Sequence, residues 1–298
     1  YTWCDERGYK LTGHYVEESS LNGQMWCCAG SMPFYEFEHI PGIDWLSRSA
    51  WKSIAGPQVA SVAAQLGKKQ VLSETFALCG HNVGHDELKW IYEYQMVRGI
   101  NLMCQHLEGY SNRGIRKRDY PPAMYIQQPW WADYKVFNDA MSRVGMLLAE
   151  GEIKFDTLLM HNQTSGWITF NCGNNTLPDG KDIKYYNQSL IDATLALEAK
   201  HIPFHLGDET LMERHGRVEG NKLIIGEQTY TTVVVPERTS VVLMLCAARD
   251  SATYSYSQVL SSLTVNGSTT AILNTTSASI KFTGWHAHTY YEVATIVL

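Results

Sequence analysis

No stretch of this chain reaches the roughly 18 consecutive apolar residues that a membrane-spanning helix needs, so a helical membrane protein is not expected. Cations are also scarce: 24 Lys and Arg stand against 30 Asp and Glu, a net charge of −6. Nucleic acid and acidic membrane surfaces reward a basic face, and neither is an expected partner. Cysteine is sparse and unpatterned. Cys4, Cys27, Cys28, Cys79, Cys104, Cys172 and Cys246 are odd in number and show no Cys-x-x-Cys spacing. That argues for reduced, buried thiols and against a disulfide framework or a zinc ribbon. His81 and His85 are four apart, but no His-Glu-x-x-His follows, so no metal is expected. The Gly-x-Ser-x-Gly elbow, the phosphate-cradling Gly-rich loop and the Gly-x-Gly-x-x-Gly fingerprint are all absent, which removes serine hydrolase and nucleotide-dependent readings and leaves no expected cofactor. The chain opens on Tyr1 without a signal-like segment, the mark of a processed or truncated piece. A cytoplasmic location is favoured over secretion, although five Asn-x-Ser/Thr sequons (Asn162, Asn174, Asn187, Asn266, Asn274) leave the compartment open.

What is present is a rhythm of short apolar runs and longer helical periods, the pattern of parallel βα units. The runs predict strands at Leu11 to Val16, within Phe34 to Trp45, at Lys69 to Phe76 and at Ile100 to His106. Between and after them, helices are expected from about Pro57 to Leu66, Asp86 to Arg98 and Trp130 to Glu150. A loop of about 20 residues, Glu108 to Gln128, separates the last strand from the last helix, and such long loops in compact domains tend to be functional. Its Arg113, Arg116, Lys117 and Arg118 carry no interleaved aromatics, and are expected to close over a site or to pair with acids. From Phe155 the texture changes to a smaller α/β layout, with strands at Asp156 to Met160, Ile202 to Leu206, Lys222 to Ile225 and Thr231 to Val235, and a helix at Gln188 to Lys200. A Ser/Thr/Val-rich tail with an Asn266-Gly267 turn suggests antiparallel strands. The expected divisions are 1–152, 153–240 and 241–298.

One residue stands out. Glu74 interrupts the apolar run Gln70-Val71-Leu72-Ser73-Glu74-Thr75-Phe76 near its C-terminal end, where βα proteins place their chemistry. Glycosidic bond cleavage needs two carboxyl groups, one protonated to assist the leaving oxygen and one ionised to attack the sugar or activate water. Glu74 suits the ionised role of nucleophile or base, and Glu36, Glu17 and Glu18 compete, with Glu38, for the acid. Flat aromatic faces suit sugar rings, which nominates Tyr110, Trp130 and Trp131 around the long loop. His14, His39 and His106 fall on or near strands and could bind hydroxyls or orient a carboxylate. Strand-end acids paired with cations, and aromatics and histidines simply packed in a core, are the competing reading.

Several ordered short motifs carry a family resemblance over residues 5 to 237. Pro33-Phe34-Tyr35-Glu36-Phe37, Ala63-Ala64-Gln65-Leu66-Gly67-Lys68, Leu72-Ser73-Glu74-Thr75-Phe76, Leu88-Lys89-Trp90, Gly99-Ile100-Asn101, Pro129-Trp130-Trp131 and Asp156-Thr157-Leu158-Leu159 resemble glycoside hydrolases related to family 106, the α-L-rhamnosidases. The resemblance implies the C-terminal half of a (β/α)8 TIM-type barrel, then a small flavodoxin- or amidotransferase-like α/β domain and a β-rich tail. It also implies a catalytic carboxylate at Glu74, a site acid at Glu36 and a carbohydrate substrate. A full barrel takes about 250 residues, so only half of one fits before residue 152. An open half exposes a sheet edge and calls for a homo-oligomer or a missing N-terminal half. A glycoside hydrolase is the leading expectation, with a non-catalytic carbohydrate-binding remnant or an assembly protein as the alternatives.

Overall fold

The computed structural model describes residues 1–50, 53–170 and 183–236, together with the backbone of strands at 240–244, 263–264 and 292–297. It is a mixed α/β protein that divides into two compact units, Tyr1–Ile153 and Lys154–Leu298.

The first unit is built on a parallel sheet in the order β1 (Thr12–Gly13), β2 (Ile40–Trp45), β3 (Leu72–Thr75) and β4 (Leu102–Gln105). Six α-helices accompany it: α1 (Thr2–Asp5), α2 (Leu21–Cys27), α3 (Met32–Tyr35), α4 (Ala55–Gln65), α5 (His85–Met96) and α6 (Tyr134–Glu150). Successive strand residues point to opposite faces, and the register places Asp44 beside Glu74 and Glu74 beside Cys104. The face with Ile43, Trp45, Ser73 and Thr75 is buried under helices. There Gln95 of α5 donates to Thr75 Oγ1 at 3.0 Å and accepts from Ser73 Oγ, while Tyr94 packs 5.6 Å from the Trp45 ring. The opposite face carries Ile40, Asp44, Leu72, Glu74, Leu102 and Cys104, none of which is fully buried. One side of the sheet is therefore core and the other is a half-open working surface.

Local chemistry explains the helix boundaries. Ser20 caps α2 by accepting from Gly23 N at 3.0 Å. At the start of α5, Glu87 reaches back to the Gly84 N–H and is itself gripped by Arg48 through bonds of 2.8 and 2.7 Å. Gly99, which ends the α5 unit, has φ +99°, and a Cβ there would lie 2.4 Å from Ala60 Cβ, so only glycine lets the chain turn back into β4.

Two expectations are corrected here. The first strand is only Thr12–Gly13, because the chain leaves the sheet after Gly13 and reaches a left-handed Glu17 (φ 62°). The second begins only at Ile40, and the stretch before it forms the short helix α3, which moves Glu36 from a strand to a helix end. The Trp130-Trp131 pair opens a single 3-10 turn, Trp131–Asp133, ahead of α6. The cationic loop holds another, Gly114–Arg118.

In the second unit, β5 (Thr157–Met160), β6 (Phe204–Gly207), β10 (Thr232–Val234) and β12 (Leu263–Thr264) form a parallel sheet in the order β12-β10-β5-β6. The helices are α7 (Gln163–Thr169), α8 (Ile183–Ala199) and α9 (Glu209–His215). Leu158, Ile225, Tyr230 and Val233 make a core cluster. An antiparallel meander, β7 (Gly216–Glu219), β8 (Lys222–Ile225) and β9 (Gln228–Tyr230), is a second small sheet, and β11 (Ser240–Met244) pairs antiparallel with β13 (Glu292–Val297). The tail was expected to be antiparallel, yet Leu263–Thr264 adds to the parallel sheet beside β10. The Asn171 to Gly180 loop and the Asn266-Gly267 turn lie outside the described residues. Among the described residues no helix is long and apolar enough to cross a membrane.

Candidate active site

The C-terminal ends of the four parallel strands in the first unit bring a compact set of ionisable side chains to the half-open face. His14 follows β1, Asp44 and Glu74 stand one residue inside the ends of β2 and β3, and His106 follows β4. The register sets Asp44 beside Glu74 on one face of the sheet, and His14 and His106 reach Glu74 from just beyond the ends of their strands. His14 Nε2 lies 2.5 Å from Glu74 Oε2, and His106 Nε2 lies 3.9 Å from Glu74 Oε1. Glu74 is thus flanked by an imidazole on either side, with its side chain 16% exposed. One ligand atom each from His14, Asp44 and Glu74 falls within 4.8 Å of the others, a nitrogen and two carboxylate oxygens that could hold a divalent cation. No spacing in the sequence announced that set. The Tyr120 ring, from the long loop, sits 5.6 Å from the His106 ring.

Charge follows from these neighbours. Burial pushes the His14 imidazole down, but the carboxylates of Asp44 and Glu74 outweigh it and the net shift is upward. Its Nδ1 faces the Tyr15 carbonyl at 3.4 Å, an acceptor only, so both ring nitrogens are arranged as donors. Burial raises Asp44 to about 6, with His14 working against the rise and Glu74 adding to it. A carboxyl so placed keeps a share of its protons near neutral pH while its neighbour is paired with an imidazole, the division of labour that acid and base roles require.

Just behind this face lies a buried carboxyl. Glu18 is 1% exposed; its Oε1 accepts from Tyr35 Oη at 2.6 Å and from Tyr15 N at 3.1 Å, and its Oε2 from Asp44 N at 2.7 Å. Burial pushes it up to about 7 despite those bonds. Glu38 is also raised by burial, against hydrogen bonds from Tyr15 and Gly42.

The remaining nominated residues are scattered. Glu17 is exposed, on the turn before α2. Glu36 caps the end of α3, where its carbonyl accepts from Lys68 Nζ at 3.0 Å, and it does not join the cluster. His39 is committed elsewhere: Leu11 N donates to its Nδ1 at 2.9 Å, which leaves the proton on Nε2, 3.4 Å from Asp5, and the ring stacks on Tyr1 at 4.1 Å. Trp130 donates from Nε1 to the Val83 carbonyl at 2.8 Å and packs among His85 and Tyr134, a structural post. Trp131 packs edge-on to Tyr125 at 5.2 Å. Tyr110 is 98% exposed and touches none of the cluster. Among the described residues no carboxylate pairs with the cations of the long loop; Arg116 Nε donates to the Ser111 carbonyl at 3.2 Å. Asp44 is the residue that sequence reasoning passed over. Its signal was there: Ile43-Asp44-Trp45 repeats, one strand earlier, the apolar-acid-apolar ending that made Glu74 conspicuous.

The architecture is that of a glycosidase-like fold. Among solved structures the chain is similar to the rhamnosidase from Novosphingobium sp. PP1Y, with a TM-score of 0.58 at 15% identity over 88% of this chain and 23% of that one. It also matches Gan42B, a GH42 beta-galactosidase, with a TM-score of 0.47 at 12% identity over 78% of this chain and 34% of that one. At such identities the likeness is one of fold, and it rests on the rhamnosidase. The chain spans less than a quarter of that enzyme's length. No family model and no curated protein matches the sequence.

Proposed function

We propose that the chain is part of a glycoside hydrolase, with Glu74 as the ionised carboxylate and Asp44 as its protonated partner. The observation that carries this reading is the Glu74 carboxylate held 2.5 Å from His14 and within 4.8 Å of an Asp44 oxygen, at the C-terminal ends of parallel strands. In this assignment Asp44, raised to about 6 by burial, protonates the leaving oxygen. Glu74, its charge balanced by the two flanking imidazoles, attacks the sugar carbon or activates water. Glu18, a nominated acid, is too enclosed for that role, and Glu36 and Glu17 lie outside the cluster.

The first unit then corresponds to the C-terminal half of a (β/α)8 barrel and the second to a flavodoxin-like domain, as in the family 106 resemblance, and an α-L-rhamnoside is the first substrate to try. The half-open inner face belongs, in this reading, against another half ring supplied by residues outside this sequence or by a second copy, and the mass of the chain in solution distinguishes the two. An aryl glycoside panel, run on the chain with its other half ring present, tests the activity. Hydrolysis that is lost in Glu74→Gln and Asp44→Asn supports the assignment; glycan binding without turnover in that completed protein overturns it in favour of a binding role.

A further inference from the structure

Glu18 is tied from both sides. On its outer side the carbonyl of Glu18 accepts from Gln24 Nε2 at 3.2 Å and from Gln58 Nε2 at 3.0 Å, which anchors it to α2 and α4. Those two amides are joined at 2.9 Å, and Gln24 Oε1 takes the N–H and hydroxyl of Ser31 at 3.0 and 3.1 Å. All of these side chains are buried. On its inner side the carboxylate collects the Tyr35 hydroxyl, the Tyr15 N–H and the Asp44 N–H. The Tyr15 N–H belongs to the peptide that carries His14, and Asp44 is the neighbour of Glu74 in the sheet. β1 is only two residues long, so ladder bonds alone hold the exit of that strand weakly.

We propose that Glu18 is a positioning residue: its two oxygens fasten the His14–Tyr15 peptide and the Asp44 peptide to one point braced against the helices, and so set how closely the imidazole approaches the carboxylates. The inference rests on the reading of His14, Asp44 and Glu74 as the functional cluster, but its geometry does not depend on turnover. No apolar side chain of similar volume can accept two strand-end N–H groups at once, and leaving those donors buried and unpaired would destabilise the fold as well. What separates positioning from folding is therefore the geometry read at His14 in a folded variant.

The test is the imidazole N–H resonance of His14 in the full chain, assigned by its loss in His14→Asn. A short charge-assisted N–H···O bond to Glu74 places this proton far downfield. In Glu18→Gln, one oxygen still accepts from Tyr35 and Tyr15, but an amide NH2 replaces the acceptor facing Asp44 N. The expected result is a resonance that moves upfield or broadens, with Glu36→Gln leaving it in place. Where aryl glycoside turnover is measurable, kcat falls by about 10²-fold with KM little changed, the cost of a misplaced reacting group. A folded Glu18→Gln protein with the His14 resonance unmoved overturns the proposal. Should Glu18→Gln not fold, Tyr35→Phe, which removes the shortest bond to the carboxylate, decides on the same resonance: movement supports the proposal and an unmoved signal overturns it. Absence of glycosidase activity in the protein with both halves of the ring present refutes the hydrolase reading while leaving this measurement intact.

Discussion

The two units each contain a four-stranded parallel sheet, and the sheets end in opposite chemistry. In the first, the strand ends carry His14, Asp44 and Glu74 on a half-open face, and two carboxylates raise the imidazole above its ordinary value. In the second, β5 runs into His161 and β6 into Asp208, both fully buried, and His205 is buried within β6. Burial alone lowers His161 and His205 to about 4, and burial, against hydrogen bonds from Leu211 and Thr210 and with the Glu209 charge adding to it, raises Asp208 to about 7, so both kinds of group are driven toward neutrality. Histidines near the ends of the same kind of sheet are thus driven toward the charged form in one unit and toward the neutral form in the other, while Asp44 and Asp208 are both raised by burial. Exposure and the presence of an opposite partner make the difference, and the charged arrangement is the one suited to catalysis.

The strongest way to break this contrast is Glu74→Gln. It removes one of the two carboxylates that, Asp44 first, raise His14, and turnover on a responsive aryl glycoside is expected to fall by about 10²–10⁴-fold, measured as kcat. The His14 imidazole should then titrate lower, toward the behaviour of His161, in NMR titrations of the variant. On the other side, Leu158→Ala strips a fully buried side chain from the core of the second unit and is expected to cost about 2–5 kcal/mol by urea denaturation.

The dependence on pH sharpens the comparison. His161 and His205 have folded values near 4, below the ordinary 6.5, so the unfolded chain binds more protons between those limits. Their contribution to stability is present above about 6.5 and is lost as pH falls toward 4. Asp44 and Glu18 are raised from ordinary carboxylate values to about 6 and about 7, so the folded chain holds more protons there. Their contribution is greatest below about 4 and is lost as pH rises through 6 to 7. Hydrogen exchange followed separately in the two sheets should show these opposite trends, modulated in the second by Asp208, which behaves like the raised acids. Asp208→Asn keeps the helix-cap acceptor for Thr210 and Leu211 and removes the buried charge. It is expected to stabilise the second unit at pH 8 relative to the parent and to leave pH 4 nearly unchanged. The smallest effect is expected from Tyr110→Ala, whose side chain is 98% exposed: less than about 0.5 kcal/mol in stability.

Strong periodicity made much of the fold legible in advance. The apolar runs ending in Glu74 and His106 are strands β3 and β4, and the amphipathic stretches around Val59 and Ile91 are α4 and α5. What failed was local. Phe34 and Tyr35 have strand-like side chains, yet Ser31 and Pro33 start a helical turn there, so Glu36 was misplaced with them. His14 was expected inside a strand running to Val16, with Glu17 and Glu18 at its end, but the chain turns after Gly13, and Glu17, Glu18 and His14 end in different surroundings: solvent, core and site. His39 was nominated because it falls near a strand and Trp130 because a flat aromatic face suits a sugar ring; His39 Nδ1 accepts from Leu11 N while its Nε2 faces Asp5, and Trp130 Nε1 donates to the Val83 carbonyl.

By itself the sequence determined the parallel βα architecture and the prominence of Glu74, because side-chain periodicity and a lone charge in an apolar run are properties of neighbouring residues. Only the tertiary structure decided that Asp44 and His14 are its companions and that Glu18 lies behind them in the core. Those relations depend on strand register and on which face a helix covers, and both are fixed by contacts between residues 26 to 30 positions apart.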